Sequence, residues 1–336
     1  MNFRIPFQAI AIAGFLLALS TAGHAWHAVG HMMTAAVAWD QMTPEARKRA
    51  VELLRKNSDF DDWVKDVADA DKDKTAFVRA SIWPDVIKGR GPEYTHDGEE
   101  PTDPNADANT GYSDKLMHKY WHYIDLPFAP PGHKVKLLPP KNPNAETRIN
   151  KHRDTLSASG ASEDLKSYDL VWLIHIVGDV HQPLHGTQRF TKLLPQGDEG
   201  GNKVKIKCLP DCGKNLHSFW DGLFDSLEVH NDAAATAKAA IAAAAKLSKA
   251  TGPAVAKTDP HAWVTESFLI AKASVYRPPI GTANKTFTIT SPYKKQAMKI
   301  GRQRVALGGA RLAKLFNDAF KPGAISRLYF GPSISR

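Results

Sequence analysis

Two histidine–aspartate pairs are the residues of this sequence best placed to do chemistry. His175 and Asp179 lie four apart in LVWLIHIVGDVHQPLH (170–185), and His217 and Asp221 lie four apart in NLHSFWD (215–221). Four residues make about one helical turn, so each pair would project from one face. Leu170, Leu173, Ile174, Val177 and Val180 recur at three- and four-residue spacing, which predicts an apolar-faced helix around the first pair. His181 and His185 follow, with Pro183 bringing that helix towards its end. Titratable groups on a core-facing helix cost free energy unless something compensates them. For one pair alone, two compensations stay open: a His–Asp ion pair beside a core histidine, or a metal ion. The second pair favours the metal, as do Asp85 in SIWPD and His122 and Asp125 in WHYID. Imidazole and carboxylate without a nearby cysteine is the ligand set of a catalytic zinc site rather than a structural one.

Several elements must position these groups. Residues 1–25 read as a secretory signal peptide, with Arg4 near the start, an apolar run over Ala9–Leu19 and small residues up to Ala25. The run is too short and badly flanked for a membrane span. Cleavage after Ala25 would make Trp26 the first residue; cleavage after Ala22 is also permissible and would not. Residues 26–336 show no linker or repeat that forces a split, so a single catalytic domain is expected, in a secreted or periplasmic protein. The formal net charge is +9, suited to a polyanionic partner, although the charge is spread out and solubility alone would account for it. Cys208 and Cys212 are the only cysteines, and an oxidising compartment would pair them as a small C-x3-C disulfide.

Helix signals outnumber strand signals. Helices are expected over WHAVGHMMTAAVAWDQM, over TPEARKRAVELLRK with Thr43 as N-cap and Pro44 at N1, over Thr75–Trp83, and over Ala145–Ser159 with Asn144 as N-cap. Ala233–Lys249 and Pro292–Phe320 complete the set. Gly89–Asp114 reads as a long acidic loop, Ala129–Pro143 as a proline-rich one, and Gln188–Asn215 as mostly irregular with VKIK as a short strand. The fold class is all-α, with the chemistry carried on long inserted loops.

The pattern W-x4-H from Trp26, then W-x-D, W-H-Y-I-D, H-x2-G-D-x-H-Q-P-L-H, G-G-N and N-L-H-x2-W-D resembles the S1/P1 nuclease family, in the family's order from Trp26 to Asp221. Tyr276, Ser291–Lys295 and ALGGARLA at Ala306–Ala313 resemble the family's C-terminal helices. The fold this implies is the phospholipase C/P1 nuclease-like helical one. The resemblance implies three zinc ions per chain. Asp85, His122, His175 and Asp179 would hold the first. Trp26, through its α-amine and carbonyl, and His31 would hold a second together with a bridging Asp179. His185, His217 and Asp221 would hold the third. It also implies that Asp85, Lys88 and Asn202 serve catalysis, the latter two at the scissile phosphate, and that Tyr123 stacks on a base while Asp125 hydrogen-bonds it. His181 lies on a different face from Asp179 and is expected either to support the ligands from behind or to be structural.

By the same resemblance, the activity is endonucleolytic hydrolysis of single-stranded DNA and RNA to 5′-phosphate products, with 3′-nucleotidase activity on 3′-nucleotides, by a monomer without stable membrane association. A zinc-dependent phospholipase C on the same scaffold is the alternative. Tyr123, Asp125 and the aspartate that closes NLHSFWD favour the nuclease. A non-catalytic zinc-binding protein is disfavoured by nine mixed ligands with open positions. The acidic Gly89–Asp114 loop is the departure from compact members of the family, and it bears on substrate access more than on the metal site.

Overall fold

The computed structural model describes residues 26–208 and 212–321. Residues 1–25, read above as a signal peptide, therefore lie outside the described residues. Among the described residues twelve α-helices follow one another: α1 (Ala28–Gln41), α2 (Pro44–Leu54), α3 (Phe60–Val64), α4 (Lys72–Ala80), α5 (Trp83–Val86) and α6 (Ala145–Ser157). Then come α7 (Glu163–Asp179), α8 (Leu216–Asp221), α9 (Ala233–Ala244), α10 (Pro253–Ala256), α11 (Pro260–Ile270) and α12 (Ser291–Ala319). The all-α expectation holds. None of the described helices is long and apolar enough to cross a membrane.

The helix starts follow capping chemistry. Thr43 and Asn144 accept backbone N–H bonds at the heads of α2 and α6, with Pro44 at the first position of α2. The expected Thr75–Trp83 helix is instead split. The chain leaves α4 after Ala80 and restarts as the one-turn α5, with Pro84 in its first turn. A proline is tolerated there, where its missing N–H needs no partner, but it would have broken a continuous helix.

α7 is the axis of the molecule. It is buried on every side from Lys166 to Asp179, where an apolar-faced helix was expected. The reason lies in its surroundings: α1, α2, α6 and α12 all pack against it, so no face is left for water. The helix ends at Asp179, four residues before Pro183, and His185 sits in a separate 3-10 turn over Pro183–Gly186. Trp172, Leu173 and Ile174 are fully buried, each side chain removing enough apolar surface to contribute ~2 kcal/mol.

The sheet content is small but it ties down the loops around α7. β1 (Pro127–Phe128) pairs in parallel with β2 (Gln188–Arg189), and β3 (Ile206–Lys207) with β4 (Phe287–Thr288). Ile206 and Lys207 fall within the VKIK stretch. α1 and α12 approach closely because Gly309 has no side chain: a Cβ there would stand 2.6 Å from the Thr34 carbonyl and from Val37. Cys208 and Cys212 form a disulfide.

Candidate metal centre

α7 carries His175 and Asp179 into the core, α1 brings His31 alongside, and α5 brings Asp85. His122 comes from the turn after Lys119–Trp121 and His185 from the Pro183–Gly186 turn, while α8 supplies His217 and Asp221. Among the described residues three groups that could hold a metal ion result: Asp85 with His122 and His175; His31 with His175 and Asp179; and His185 with His217 and Asp221. All of these residues are buried except Asp85, which is slightly open.

In the first group, His122 Nδ1 lies 2.9 Å from His175 Nε2, and the two stand 3.1 and 3.3 Å from Asp179 Oδ2. Asp85 Oδ1 closes the group at 3.9 Å from His122 and 3.7 Å from His175. The other oxygen of Asp179 lies 3.2 Å from His31 Nε2, and the His31 ring stacks on His175 at 3.9 Å. In the third group, His185 and His217 Nε2 are 3.1 Å apart, with Asp221 Oδ2 3.4 Å from His217 and Oδ1 3.8 Å from His185.

Backbone carbonyls decide which nitrogen of each imidazole carries the proton. His175 Nδ1 donates to Ser81 O at 2.6 Å, His185 Nδ1 to His122 O at 2.9 Å, and His217 Nδ1 to Gly200 O at 2.8 Å. Each Nε2 is then a lone pair aimed into the cluster. Burial keeps the His175, His122 and His185 rings neutral. It lowers the pKa of His175 to about 4 and holds His122 and His185 well below the ordinary histidine value, with the Lys88 charge adding to the effect on His122 and the neighbouring His217 on His185. Asp221 is pushed well up by burial, against the Gln182 amide that donates to its Oδ1 at 2.6 Å.

These donors fit a metal. Zinc with bonds of ~2.0–2.1 Å in a tetrahedron needs ligand atoms about 3.3 Å apart, and the distances given above, from 2.9 to 3.9 Å, bracket that value. Facing lone pairs in a dry site repel one another, and a proton is disfavoured there, so a divalent cation is the compensation that suits them. Asp221 Oδ2 is also buried without a hydrogen-bond partner among the described residues, as an oxygen reserved for another ligand would be.

The chain matches the family model of S1/P1 nuclease over residues 26–321. It belongs to the S1/P1 nuclease family. Among curated relatives from Arabidopsis thaliana, it is 30% identical to Endonuclease 5 over 187 residues, covering 51% of this chain and 59% of the relative. It is 28% identical to Endonuclease 3 over 215 residues, covering 59% and 69% respectively. A third, Endonuclease 4, is 28% identical over 180 residues, 49% of this chain and 56% of the relative. The matched stretches thus span little more than half the length of two of these relatives.

The remaining residues singled out by sequence surround the three groups. Lys88 Nζ, almost entirely buried, donates to Asp85 Oδ1 at 2.7 Å. Asn202 sits in the turn that offers the Gly200 carbonyl to His217, its own amide held by Glu199 O at 3.0 Å. Trp26 is fully buried before α1, and its indole N–H donates to Gly178 O at 3.1 Å. The His27 amide donates to Asp221 O at 3.0 Å, which brings the start of the described chain to the third group. Tyr123 donates its hydroxyl to the Glu99 carbonyl of the acidic loop. Asp125 is pushed up to about 7 by burial and by Asp198, Glu100 and Glu199. His181 is fully paired away from the clusters, between Val177 O at 2.7 Å and the Arg311 guanidinium at 3.0 Å.

Sequence reasoning missed three supports. Gln182 holds Asp221, and its carbonyl oxygen accepts the Leu184 N–H at 2.6 Å. Gly178 leaves room for His31, since a Cβ there would stand 2.9 Å from His31 Nδ1. The carbonyls of Ser81, His122 and Gly200 orient imidazoles. Gln182 and Gly178 both stand inside the H-x2-G-D-x-H-Q-P-L-H motif, whereas the carbonyls left no signal in the side-chain pattern.

Proposed function

We propose that this chain is a secreted zinc-dependent endonuclease. It would hydrolyse phosphodiester bonds of single-stranded DNA and RNA to 5′-phosphate products and act on 3′-nucleotides as a 3′-nucleotidase. The observation that carries the reading is the convergence of three buried His/Asp groups around one helix, with imidazole lone pairs turned inward. Family membership supports the reaction class.

Asp85, His122, His175 and Asp179 would hold one zinc ion. His31, Asp179 and the free α-amine and carbonyl of Trp26 would hold a second, and His185, His217 and Asp221 a third. Bound zinc supplies Lewis acidity that brings the pKa of water to near 7 and stabilises charge growing on phosphate oxygens. Lys88 places an ammonium beside Asp85, where it would bind a phosphate oxygen as Asp85 engages metal. Asn202 would offer its amide to the same phosphate from the turn beside His217. Tyr123 would stack on a base, a contact worth ~1–3 kcal/mol that tolerates any base. Asp125, titrating near 7, can accept a hydrogen bond from the base edge when ionised and donate one when protonated. A duplex hides base faces, so this arrangement selects single strands.

The test is a side-by-side assay of single-stranded DNA, RNA, 3′-AMP and phosphatidylcholine, with and without chelator. Hydrolysis of the first three, abolished by EDTA, is expected. Turnover of phosphatidylcholine alone would overturn the reading in favour of a phospholipase.

A further inference from the structure

The acidic loop pairs with cations around it. Lys119 pairs with Glu99, Lys141 with Glu100, Lys151 and Arg148 with Asp107, and Lys115 with Glu93. Positive charge that is not paired in this way lies elsewhere on the chain.

One place where it gathers is the outer face of α12. A groove of about 750 Å³ lies between the segment that follows α9 (Lys246 to Ser248) and the first half of α12, and it is lined by Lys246, Lys295, Lys299 and Arg302 without a single carboxylate. All four cations are exposed, and none forms an ion pair among the described residues. Lys295, Lys299 and Arg302 follow one another at four- and three-residue spacing, so they share one helix face over about 10 Å. The floor is Leu247 and Met298, both half-buried.

The opposite face of the same helix touches the candidate centre. Tyr293 hydrogen-bonds the indole of Trp220, which neighbours Asp221, and a Cβ at Gly301 would come within 3.4 Å of the Trp26 ring. The basic groove is thus on the back of the helix that supports the metal-site residues. A lipid surface is the less suitable partner, because none of the large exposed apolar side chains of the described residues (Val86, Leu137, Leu138, Leu193, Val229, Leu269) lines the groove.

We propose that this groove is an auxiliary binding track for the phosphate backbone of single-stranded nucleic acid, engaging a long strand outside the site where it is cut. The identity of the polyanion rests on the nuclease reading above; the existence of the track does not. Four unpaired cations with no aromatic among the lining residues give purely electrostatic, sequence-independent binding, with affinity that falls steeply with salt.

The experiment compares the full secreted chain with a Lys295→Gln, Lys299→Gln, Arg302→Gln variant. The three positions are solvent-facing and glutamine is a good helix former, so the fold should be retained. Two readouts are taken: anisotropy of a long phosphorothioate oligothymidylate across a salt series, and the cleavage rate of a dinucleotide too short to reach the groove. The expected result is about tenfold weaker oligomer binding at low salt. The log–log salt slope should be shallower by about 2, from three lost contacts at ~0.7 each, while dinucleotide cleavage is unchanged. Equal affinity and equal slope in the two proteins would overturn the proposal. So would parallel loss on both substrates, which would place the effect in the fold. Charge-dependent binding to phosphatidylglycerol vesicles with oligomer binding unaltered would overturn it in favour of a membrane. If neither protein cleaves any nucleic acid, the nuclease reading fails, and the anisotropy series still decides the groove.

Discussion

His185 and His217 face each other across 3.1 Å through two nitrogens that both carry lone pairs, because the His122 and Gly200 carbonyls take the protons on their far sides. In a buried site this contact is repulsive until a cation lies between the rings. Chelation should therefore cost stability as well as activity. EDTA is expected to lower the Tm by about 5–10 °C, as loss of a ligand present at ~100 Kd would, and added zinc should restore it. Metal analysis should give about three ions per chain. A fully active chain holding one ion or none would sink the three-site reading.

Asp179 reaches two groups at once, Oδ2 towards His122 and His175 and Oδ1 towards His31, whereas Asp221 serves one. Asp179→Asn should thus lower kcat more than Asp221→Asn, by about tenfold or more, since support for a ligand or its partner is typically worth 10–100-fold. Zinc content should fall further in the Asp179 variant. Equal losses with equal zinc retention would count against a shared carboxylate.

The two His-x3-Asp pairs were legible because a helix turns four-residue spacing into proximity without help from distant chain. Asp85 and His122 were readable as candidates from their apolar-aromatic settings, and the helix caps at Thr43 and Asn144 from local side-chain chemistry. The geometry that makes the site was not legible. Imidazole tautomers depend on carbonyls of Ser81 and Gly200, and every residue has a carbonyl, so side-chain pattern says nothing of which one will arrive. The burial of α7 on all sides depends on how many neighbours surround it, which three- and four-residue periodicity cannot count. The split of α4 from α5 was written locally, in Pro84.

Gly178→Ala offers a sharp test because helix propensity and site geometry pull in opposite directions. Alanine in α7 should favour the helix by ~1 kcal/mol. Its Cβ, however, would stand 2.9 Å from His31 Nδ1, on a ring buried against His175 with nowhere to retreat. Displacing His31 from Asp179 should reduce activity about 10–100-fold while circular dichroism and Tm stay close to the parent. Full activity would mean that His31 has slack and that its place beside Asp179 is incidental.

Glu266 on α11 has no role in the proposed chemistry, yet it balances two buried guanidinia. Arg304 Nη1 lies 3.3 Å and Arg311 Nη1 2.8 Å from its Oε2. Burial alone would raise its pKa, but Arg311, with Arg304 and Lys257, overrides that and lowers it from 4.5 to about 2. The folded-state pKa is below the unfolded one, so the contribution is fully present above about 4.5 and is lost as the pH falls towards 2. Glu266→Gln should cost about 3 kcal/mol at neutral pH, the penalty of leaving buried charge without its partner. The gap between parent and variant in denaturant unfolding should narrow below pH 4.5. A gap that stays constant down to pH 3 would assign the effect to packing.

The start of the described residues gives the last prediction. The Trp26 ring is buried and held by the Gly178 carbonyl, and the His27 amide is held by the Asp221 carbonyl, so the Trp26 backbone is fixed next to the candidate centre. A free α-amine there, with a pKa of ~7.7–8.0, gives up its proton readily to a metal. An amide at the same place cannot, because its lone pair is delocalised into the carbonyl. One extra residue before Trp26 should therefore remove a ligand while leaving the ring seated. That would leave the second ion with His31 and a shared Asp179, and kcat should fall more than KM rises, with the Tm of the chelated protein unchanged. A chain beginning at Trp26 and one beginning at Ala25, each verified by intact mass, would be compared for kcat and zinc content. Equal activity and equal zinc in the extended chain would mean that Trp26 packs without ligating, and that maturation after Ala25 is not what switches the enzyme on.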